Sequence, residues 1–162
     1  MIQRIQTVYL TLVLVLSVLG LCSWVGQYYN GADLVAEFDE FSFSHAKGFK
    51  DVVEGATTFA LAVLHIAVAI ITLLAIMLFR MRMRQMRMVI VSSLLLVGYI
   101  VLYVLYALKF QWQLETVPGM ECVSYHLTVA ALYPVLSFIL NAMAIHCIRR
   151  DEALVRSLDR LR

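Results

Sequence analysis

The sequence predicts an all-α membrane protein: a bundle of four transmembrane helices with a small extracytoplasmic β-element and a C-terminal cytoplasmic amphipathic helix. The 162 residues are 62% hydrophobic, whereas soluble domains are roughly 45–50% apolar. The apolar residues are concentrated in four runs, each about as long as the ~20 residues that a helix needs to cross a bilayer. The predicted spans are 7–28, 57–79, 88–109 and 126–148. Because no low-complexity linker divides the chain, we expect one domain over residues 1–162.

The basic residues predict how the spans are threaded. The arginines lie beside span ends on one side and the lysines lie in the loops on the other: Arg4, Arg80, Arg82, Arg84, Arg87, Arg149, Arg150, Arg156, Arg160 and Arg162 against Lys47, Lys50 and Lys109. Short loops with an excess of basic residues stay cytoplasmic. Both termini, the inner loop 80–87 and the tail 149–162 are therefore predicted to be cytoplasmic, and the outer loops 29–56 and 110–125 extracytoplasmic. The first span is expected to be retained, because its apolar run exceeds the ~7–15 residues of a signal-peptide core.

The inner loop 80–87 is so short that the second and third spans must form an antiparallel hairpin. Its arginines Arg80, Arg82, Arg84 and Arg87 alternate with other side chains, mostly methionine. Such residues attract anionic lipid headgroups with roughly 1 kcal/mol each near the surface. We therefore expect membrane lipids as partners at this loop, and no nucleic acid, because the patch is small and lies against a membrane.

The three cysteines have no metal-ligand spacing. Cys22, near the outer end of the first span, and Cys122, in the second outer loop, could form a disulfide in an oxidising compartment. The alternative is that both are unpaired small apolar residues. Cys147 lies on the reducing side and is expected to serve helix packing.

The first outer loop carries Phe38, Phe41, Phe43 and Phe49 among acidic residues. Apolar and polar residues alternate over 41–44, which predicts an extended strand, and 109–114 is a candidate partner strand. These aromatic side chains either form a docking surface for another protein or simply cap the bundle and join the interfacial belt.

Each span has one stripe of mainly small or polar residues at spacings of three and four. Helices in lipid associate through such residues, so the stripes are predicted to face a common axis. They are Ser17, Gly20, Trp24 and Gln27; Thr58, Ala62, His65, Ala69 and Thr72; Ser92, Leu96, Tyr99, Tyr103 and Tyr106; and His126, Ala130, Pro134, Ser137, Asn141 and Ala144. Pro134 is expected to kink the fourth helix.

His65 is the one clear ionisable residue inside the spans, and such residues raise a functional hypothesis. Its expected partners are Tyr99, Tyr103 and Asn141, since no carboxylate lies within a span. Together with Ser137 these residues either line an internal cavity or hold the helices together by hydrogen bonds. No catalytic constellation, metal-ligand set or phosphate-binding loop is evident, so we expect no enzyme activity, cofactor or metal.

The tail continues a helical pattern in which Leu154, Leu158 and Leu161 share one face. It is expected either to lie on the inner leaflet or bind a cytoplasmic partner, or to be a solvated helix end. This tail, the opening MIQRIQTVYL and the Tyr133-Pro134 helix with Asn141 resemble a family of small four-helix inner-membrane proteins of Bacteroidota, catalogued as domain of unknown function four-two-nine-three. The resemblance covers the whole chain and implies a bacterial inner (plasma) membrane location, but no activity and no site residues. The architecture is also similar in shape alone to claudin-type bundles.

The function that these features favour is that of a non-enzymatic accessory or interaction subunit, which engages partners through the aromatic outer loop or the C-terminal tail. The alternative is a small-molecule or lipid-handling carrier with an internal cavity around His65, Tyr99, Tyr103 and Asn141.

Overall fold

The computed structural model describes residues 3–45, 58–79, 81–116 and 123–159. Within these ranges the chain is mostly helical, with a small antiparallel sheet. The elements follow the order α1 (Gln3–Leu21), β1 (Gly26–Asn30), β2 (Asp33–Phe38), β3 (Phe43–His45), α2 (Phe59–Met77), α3 (Arg82–Glu115), β4 (Val123–Leu127), a 3₁₀ helix (Val129–Leu132) and α4 (Tyr133–Asp159). We call the end that carries the strands the sheet end. The opposite end, where the turn after α2 leads into α3, is the turn end.

The four helices pack side by side, with α1 and α3 each contacting both α2 and α4. Their buried positions recur at spacings of three and four, as expected for helices that interlock at small crossing angles. In α1 these positions are Gln6, Leu10, Val13, Ser17 and Gly20. The predicted stripes are therefore largely confirmed: most members are buried, while Trp24 and His126 are exposed.

The outward faces of the helices are apolar. Leu94 and Leu108 on α3, for example, are 71% and 61% exposed. Three helical segments, Phe59–Met77, Arg82–Glu115 and Val129–Ala153, are long and apolar enough to cross a membrane, and the apolar stretch of α1, Ile5–Leu21, is shorter. Soluble proteins rarely expose apolar surface on this scale, so these features indicate a membrane protein.

Several predicted boundaries are wrong. The first helix ends at Leu21, so residues 22–28, which were assigned to the first span, lie outside it, and the last three of them belong to β1. The third helix begins at Arg82, inside the predicted inner loop, and runs to Glu115 through the predicted strand 109–114. The helical pattern of burial continues at both of its ends, because Gln85 and Val89 are buried four residues apart, as are Phe110 and Leu114.

The start of the fourth helix is also corrected. His126, the predicted first residue of the last span, lies in β4, and α4 begins only after the 3₁₀ helix. Pro134 is consequently the second residue of α4 rather than a mid-helix residue. Proline fits the first turn of a helix, where its missing N–H would have no intrahelical partner. The expected kink within the helix therefore has no structural basis.

The strands form one antiparallel sheet in the order β3-β2-β1-β4. β1 and β2 form a hairpin whose turn contains Gly31 at φ +66°, a conformation that glycine adopts without penalty. β4 pairs with β1 from Gly26↔Leu127 to Asn30↔Val123. The predicted β-element thus exists, and Phe43 does lie in a strand, but the partner strand is β2 rather than 109–114.

The sheet covers the ends of the helices through an aromatic layer. Tyr28 and Phe38 project from β1 and β2, and they pack with Phe43 and with Phe110 of α3. Phe41, expected on the same face as Phe43, is instead 44% exposed. Phe49 lies outside the described residues. This layer seats the sheet on the helices and brings the segment after β2 over the helix axis.

Candidate functional site

A buried carboxylate, Glu40, lies at the sheet end of the helix axis. It follows β2, in which Phe38 is already turned inward, and side chains two positions apart in extended chain share a face. Glu40 is only 1% exposed, and a tight turn stabilises its segment, since Asp39 accepts hydrogen bonds from the N–H groups of Phe41 and Ser42. Local chain geometry thus delivers a charged group into the protein interior.

Glu40 binds two helices at once. Its Oε1 atom lies 2.5 Å from Nδ1 of His65 on α2 and accepts a hydrogen bond from the Tyr99 hydroxyl on α3 at 2.9 Å. The His65 ring also packs against the Tyr99 ring, with centroids 4.9 Å apart. We call Glu40, His65 and Tyr99 the buried triad. Of the expected partners of His65, Tyr99 contacts its ring, but the Tyr99 hydroxyl bonds to Glu40 rather than to the imidazole. The expectation that no carboxylate would meet the histidine is wrong.

Each polar end of the triad retains unused hydrogen-bonding capacity. Glu40 Oε2 and His65 Nε2 are buried, and within the described residues neither has a partner. When Nδ1–H donates to a carboxylate, Nε2 carries the free lone pair of the neutral ring. The triad can therefore hold a proton or accept a hydrogen bond at Nε2. The described residues contain no group of three or more His, Cys, Asp or Glu side chains that could hold a metal ion.

The triad is tightly enclosed by α1. A Cβ atom added at Gly20 would lie 2.6 Å from Cε1 of His65 and 3.4 Å from Oε1 of Glu40. Glycine is therefore needed at this position for α1 to approach α2 so closely. The sequence stripe placed Gly20 and His65 on facing surfaces, and the structure confirms that they meet.

Tyr103, another candidate, lies one turn beyond Tyr99 towards the sheet. Its hydroxyl is hydrogen-bonded to that of Tyr125 on β4 and donates to the Val25 carbonyl at 3.4 Å. Tyr28 of β1 donates to the Ala107 carbonyl at 2.8 Å. Burial raises the pKa of both sheet tyrosines, Tyr28 and Tyr125, and the hydrogen bond to Tyr103 adds to the rise for Tyr125. These bonds fasten the sheet to α3.

Asn141 and Ser137, the remaining candidates, lie deeper on the axis. The Asn141 amide donates to Ser92 at 3.1 Å, and Ser92 is 3.2 Å from the Thr72 hydroxyl. This chain of bonds joins α4, α3 and α2 away from His65. Ser137 is buried, and its hydroxyl has no partner within the described residues. The structure therefore separates the five candidates: His65 and Tyr99 lie in the triad, Tyr103 bonds to the sheet, and Asn141 and Ser137 lie deeper on the axis.

A third polar level lies at the turn end and was not anticipated from the sequence. Gln6, Gln85 and Asp151 continue the buried stripes of α1, α3 and α4, and their side-chain polar atoms have no partner among the described residues. Arg82 donates to the backbone carbonyl of Asp151 at 3.3 Å. The three-four spacing itself would have revealed these residues, had the stripes been continued past the predicted span ends.

The other candidate residues lie on the surface. Arg84 and Arg87 are exposed on the first turns of α3, Arg82 is half-buried, and Arg80 lies outside the described residues. Cys22 is exposed with a free thiol, and Cys122 lies outside the described residues. Val123, the next residue, pairs with Asn30 at the end of β1 remote from Cys22, so the described residues give a Cys22–Cys122 bond no support.

The comparison with protein families identifies the class to which this chain belongs. The family model described as "Domain of unknown function (DUF4293)" matches residues 2–161. The chain therefore belongs to this family, as the resemblance at its two ends predicted. No curated protein matches the sequence.

Proposed function

We propose that this protein is a non-enzymatic accessory or interaction subunit, built as a four-transmembrane-helix bundle in the bacterial inner membrane. The observation that carries this proposal is the closure of the helix axis by direct side-chain bonds. At the sheet end Glu40 joins His65 and Tyr99, and deeper in the axis Ser92 joins Thr72 and Asn141. Because side-chain bonds join the helices at two levels of the axis, the outer surfaces are the parts of the chain that a partner could contact.

The alternative, a carrier with a cavity around His65, Tyr99, Tyr103 and Asn141, fits these contacts less well. Tyr103 bonds to the sheet rather than to His65, and Asn141 bonds at another level. A ligand in this region would have to displace Glu40 or separate α1 from α2 at Gly20. The close approach at Gly20 therefore favours the accessory function over the carrier function.

In this proposal the sheet end faces outward and the turn end faces the cytoplasm. The exposed arginines would then contact anionic headgroups of the inner leaflet: Arg84, Arg87, Arg149 and Arg150. At the sheet end an exposed aromatic rim would be available to a protein partner: Trp24, Phe41, Phe59 and Trp112, which are 42–69% exposed. Aromatic side chains supply most of the binding energy in many protein interfaces.

Site-specific photocrosslinking in living cells tests the proposal. A photoreactive amino acid would replace Phe41 or Trp112 in the rim, and as a matched control Leu94, which is exposed in the middle of α3. We expect one discrete protein adduct from the rim positions and none from Leu94, and the same partner at a stoichiometric level in affinity purification with mild detergent. Rim positions that yield no protein adduct would contradict a partner at the aromatic rim.

A further inference from the structure

An apolar groove runs along the outer face of α1 and α4, on the side away from the axis. It has a volume of about 550 Å³ and is lined mainly by Ile139, Ala142 and Met143 along α4, with Tyr9, His146 and Cys147 at its turn end. The small side chain of Ala142 forms part of the groove wall between larger neighbours. The groove therefore combines a long apolar part with a polar mouth formed by a phenol and an imidazole.

The mouth of the groove continues into a cationic surface. Arg149 and Arg150 follow His146 by three and four residues, so they lie one helical turn further along the same face, and both are exposed. Asp151, the acid next to them, is buried, whereas both arginines lie at the surface. Apolar groove, polar mouth and cationic end follow one another in the order in which a phospholipid presents acyl chain, glycerol ester and phosphate.

We propose that this groove binds one anionic phospholipid from the membrane. The acyl chain lies against Ala142 and Met143, the ester region lies beside Tyr9 and His146, and the phosphate is held by Arg149 and Arg150. Arginine suits this role because its guanidinium group donates two parallel hydrogen bonds to phosphate oxygens. The site rests on the membrane placement proposed above and deepens it, since it assigns one lipid class to one groove.

A second copy of the chain is a poorer occupant. Its turn end would bring Arg84, Arg87 and its own Arg149 and Arg150 towards the same cationic mouth, and unpaired charges of one sign are costly to bring together. A neutral phospholipid fills the apolar part but leaves the arginine pair without a net negative partner. An anionic phospholipid satisfies both parts of the groove.

Cys147 provides a local measurement of occupancy. The full-length protein would be placed in nanodiscs of phosphatidylcholine, alone or mixed with phosphatidylglycerol, and the rate of maleimide labelling of Cys147 would be followed by peptide mass spectrometry. Cys22, an exposed thiol at the other end, is the internal reference. We expect phosphatidylglycerol to slow the labelling of Cys147 several-fold and to leave the labelling of Cys22 unchanged. High salt should weaken this effect, because salt screens the attraction between the arginines and the phosphate.

Two variants and one control separate the parts of the site. Arg149→Gln with Arg150→Gln should abolish the slowing, and Ala142→Phe should do the same by filling the groove without a change of charge. Arg84→Gln with Arg87→Gln removes the same charge from the same end and should keep the slowing. Equal labelling rates in both lipid mixtures, an equal loss in the control variant, or protection that increases with the number of copies per disc would each overturn the proposal.

Vesicle flotation separates a failure of the membrane placement from a failure of the lipid site. A chain that does not float with vesicles would overturn the membrane placement and the lipid site together. A chain that floats normally, yet shows no lipid-dependent protection of Cys147, would overturn the lipid site alone.

Discussion

Glu40 and His65, 25 residues apart in the chain, are hydrogen-bonded in the interior at a distance of 2.5 Å, and each side chain is 1% exposed. Glu40 belongs to the segment between strands and His65 to a membrane-length helix. The bond therefore links the sheet to the helices at a point from which water is excluded. Because an unpaired charge in such a place is expensive, the two residues depend on each other.

Replacement of Glu40 by alanine is expected to lower the free energy of unfolding by about 1–3 kcal/mol for each buried donor that is left without an acceptor. Both His65 and the Tyr99 hydroxyl lose their acceptor. Glu40→Gln keeps an acceptor for Tyr99 and should cost less. Denaturant unfolding in detergent micelles measures both variants.

The matched control is Glu115→Ala, which removes an exposed carboxylate at the end of α3. Its effect should stay within about 0.5 kcal/mol, as for most surface substitutions. A similar small effect for Glu40→Ala would show that the buried triad contributes little to stability.

His65→Gln is the second prediction. From the sequence alone, glutamine would be tolerated at this position because no carboxylate was expected nearby. With Glu40 in place, the substitution should destabilise the protein, and the double variant Glu40→Gln with His65→Gln should cost less than the sum of the single variants. A coupling of about 0.5–3 kcal/mol is typical for residues in direct contact. Additive effects in the same unfolding assay would contradict the contact.

Two helical glycines give the third prediction. Gly20→Ala would place a methyl group 2.6 Å from the His65 ring, and overpacking of this kind costs about 1–3 kcal/mol. For Gly98→Ala no atom lies within 4 Å of the added Cβ, so the better helix propensity of alanine should leave stability unchanged or raise it by up to about 1 kcal/mol. Thermal unfolding of both variants tests whether the unfolding temperature falls for Gly20→Ala and is unchanged or rises for Gly98→Ala.

The sequence predicts features that depend on neighbouring residues better than features that depend on residues far apart in the chain. The axis was predictable because Thr72, Ser92 and Asn141 follow a helical period that each helix displays by itself. The ends of α3 were not, because hydropathy falls at Arg82 and Lys109 although the helical burial pattern continues to Gln85 and Phe110. A hydropathy criterion locates lipid-facing residues, whereas a helix can extend beyond the lipid.

Glu40 could not be assigned to His65 from the sequence, although one local signal existed. The alternation that turns Phe38 inward also turns Glu40 inward if it is continued by two residues. What it meets there depends on the sheet order and on the β1–β4 pairing, which joins segments almost a hundred residues apart in the chain. Such long-range pairing leaves no periodic trace in either segment.

The fourth prediction concerns alkaline pH. Burial raises the pKa of Tyr125 above its ordinary value, which is about 10 in an unfolded chain. The neutral phenol is therefore favoured by folding, and its stabilisation is fully present below about pH 10 and is lost as the pH rises towards the folded-state pKa. We expect the unfolding temperature to fall above about pH 10, and to fall less in Tyr125→Phe than in Tyr133→Phe, the control on α4. Equal falls in the two variants would contradict a role for Tyr125.

The fifth prediction concerns orientation in the membrane. A reporter that is active only in the periplasm would be inserted after Gly31, in the exposed β1–β2 turn, or fused after Arg162. We expect activity from the Gly31 insertion and none from the Arg162 fusion, because the arginine-rich turn end should remain cytoplasmic. A reporter that is active only in the cytoplasm, placed at the same two sites, should give the opposite result.

The outcome bears on both proposals for this protein. Activity of the periplasmic reporter after Arg162 would place Arg149 and Arg150 on the extracytoplasmic side, where they could not bind headgroups of the inner leaflet. Substitution of glutamine for Arg84, Arg87, Arg149 and Arg150 together gives a further test. If these arginines set the orientation, part of the population should invert, and reporter activity should appear after Arg162. An unchanged orientation in this variant would show that other charges, such as Arg4 at the start of α1, determine the threading.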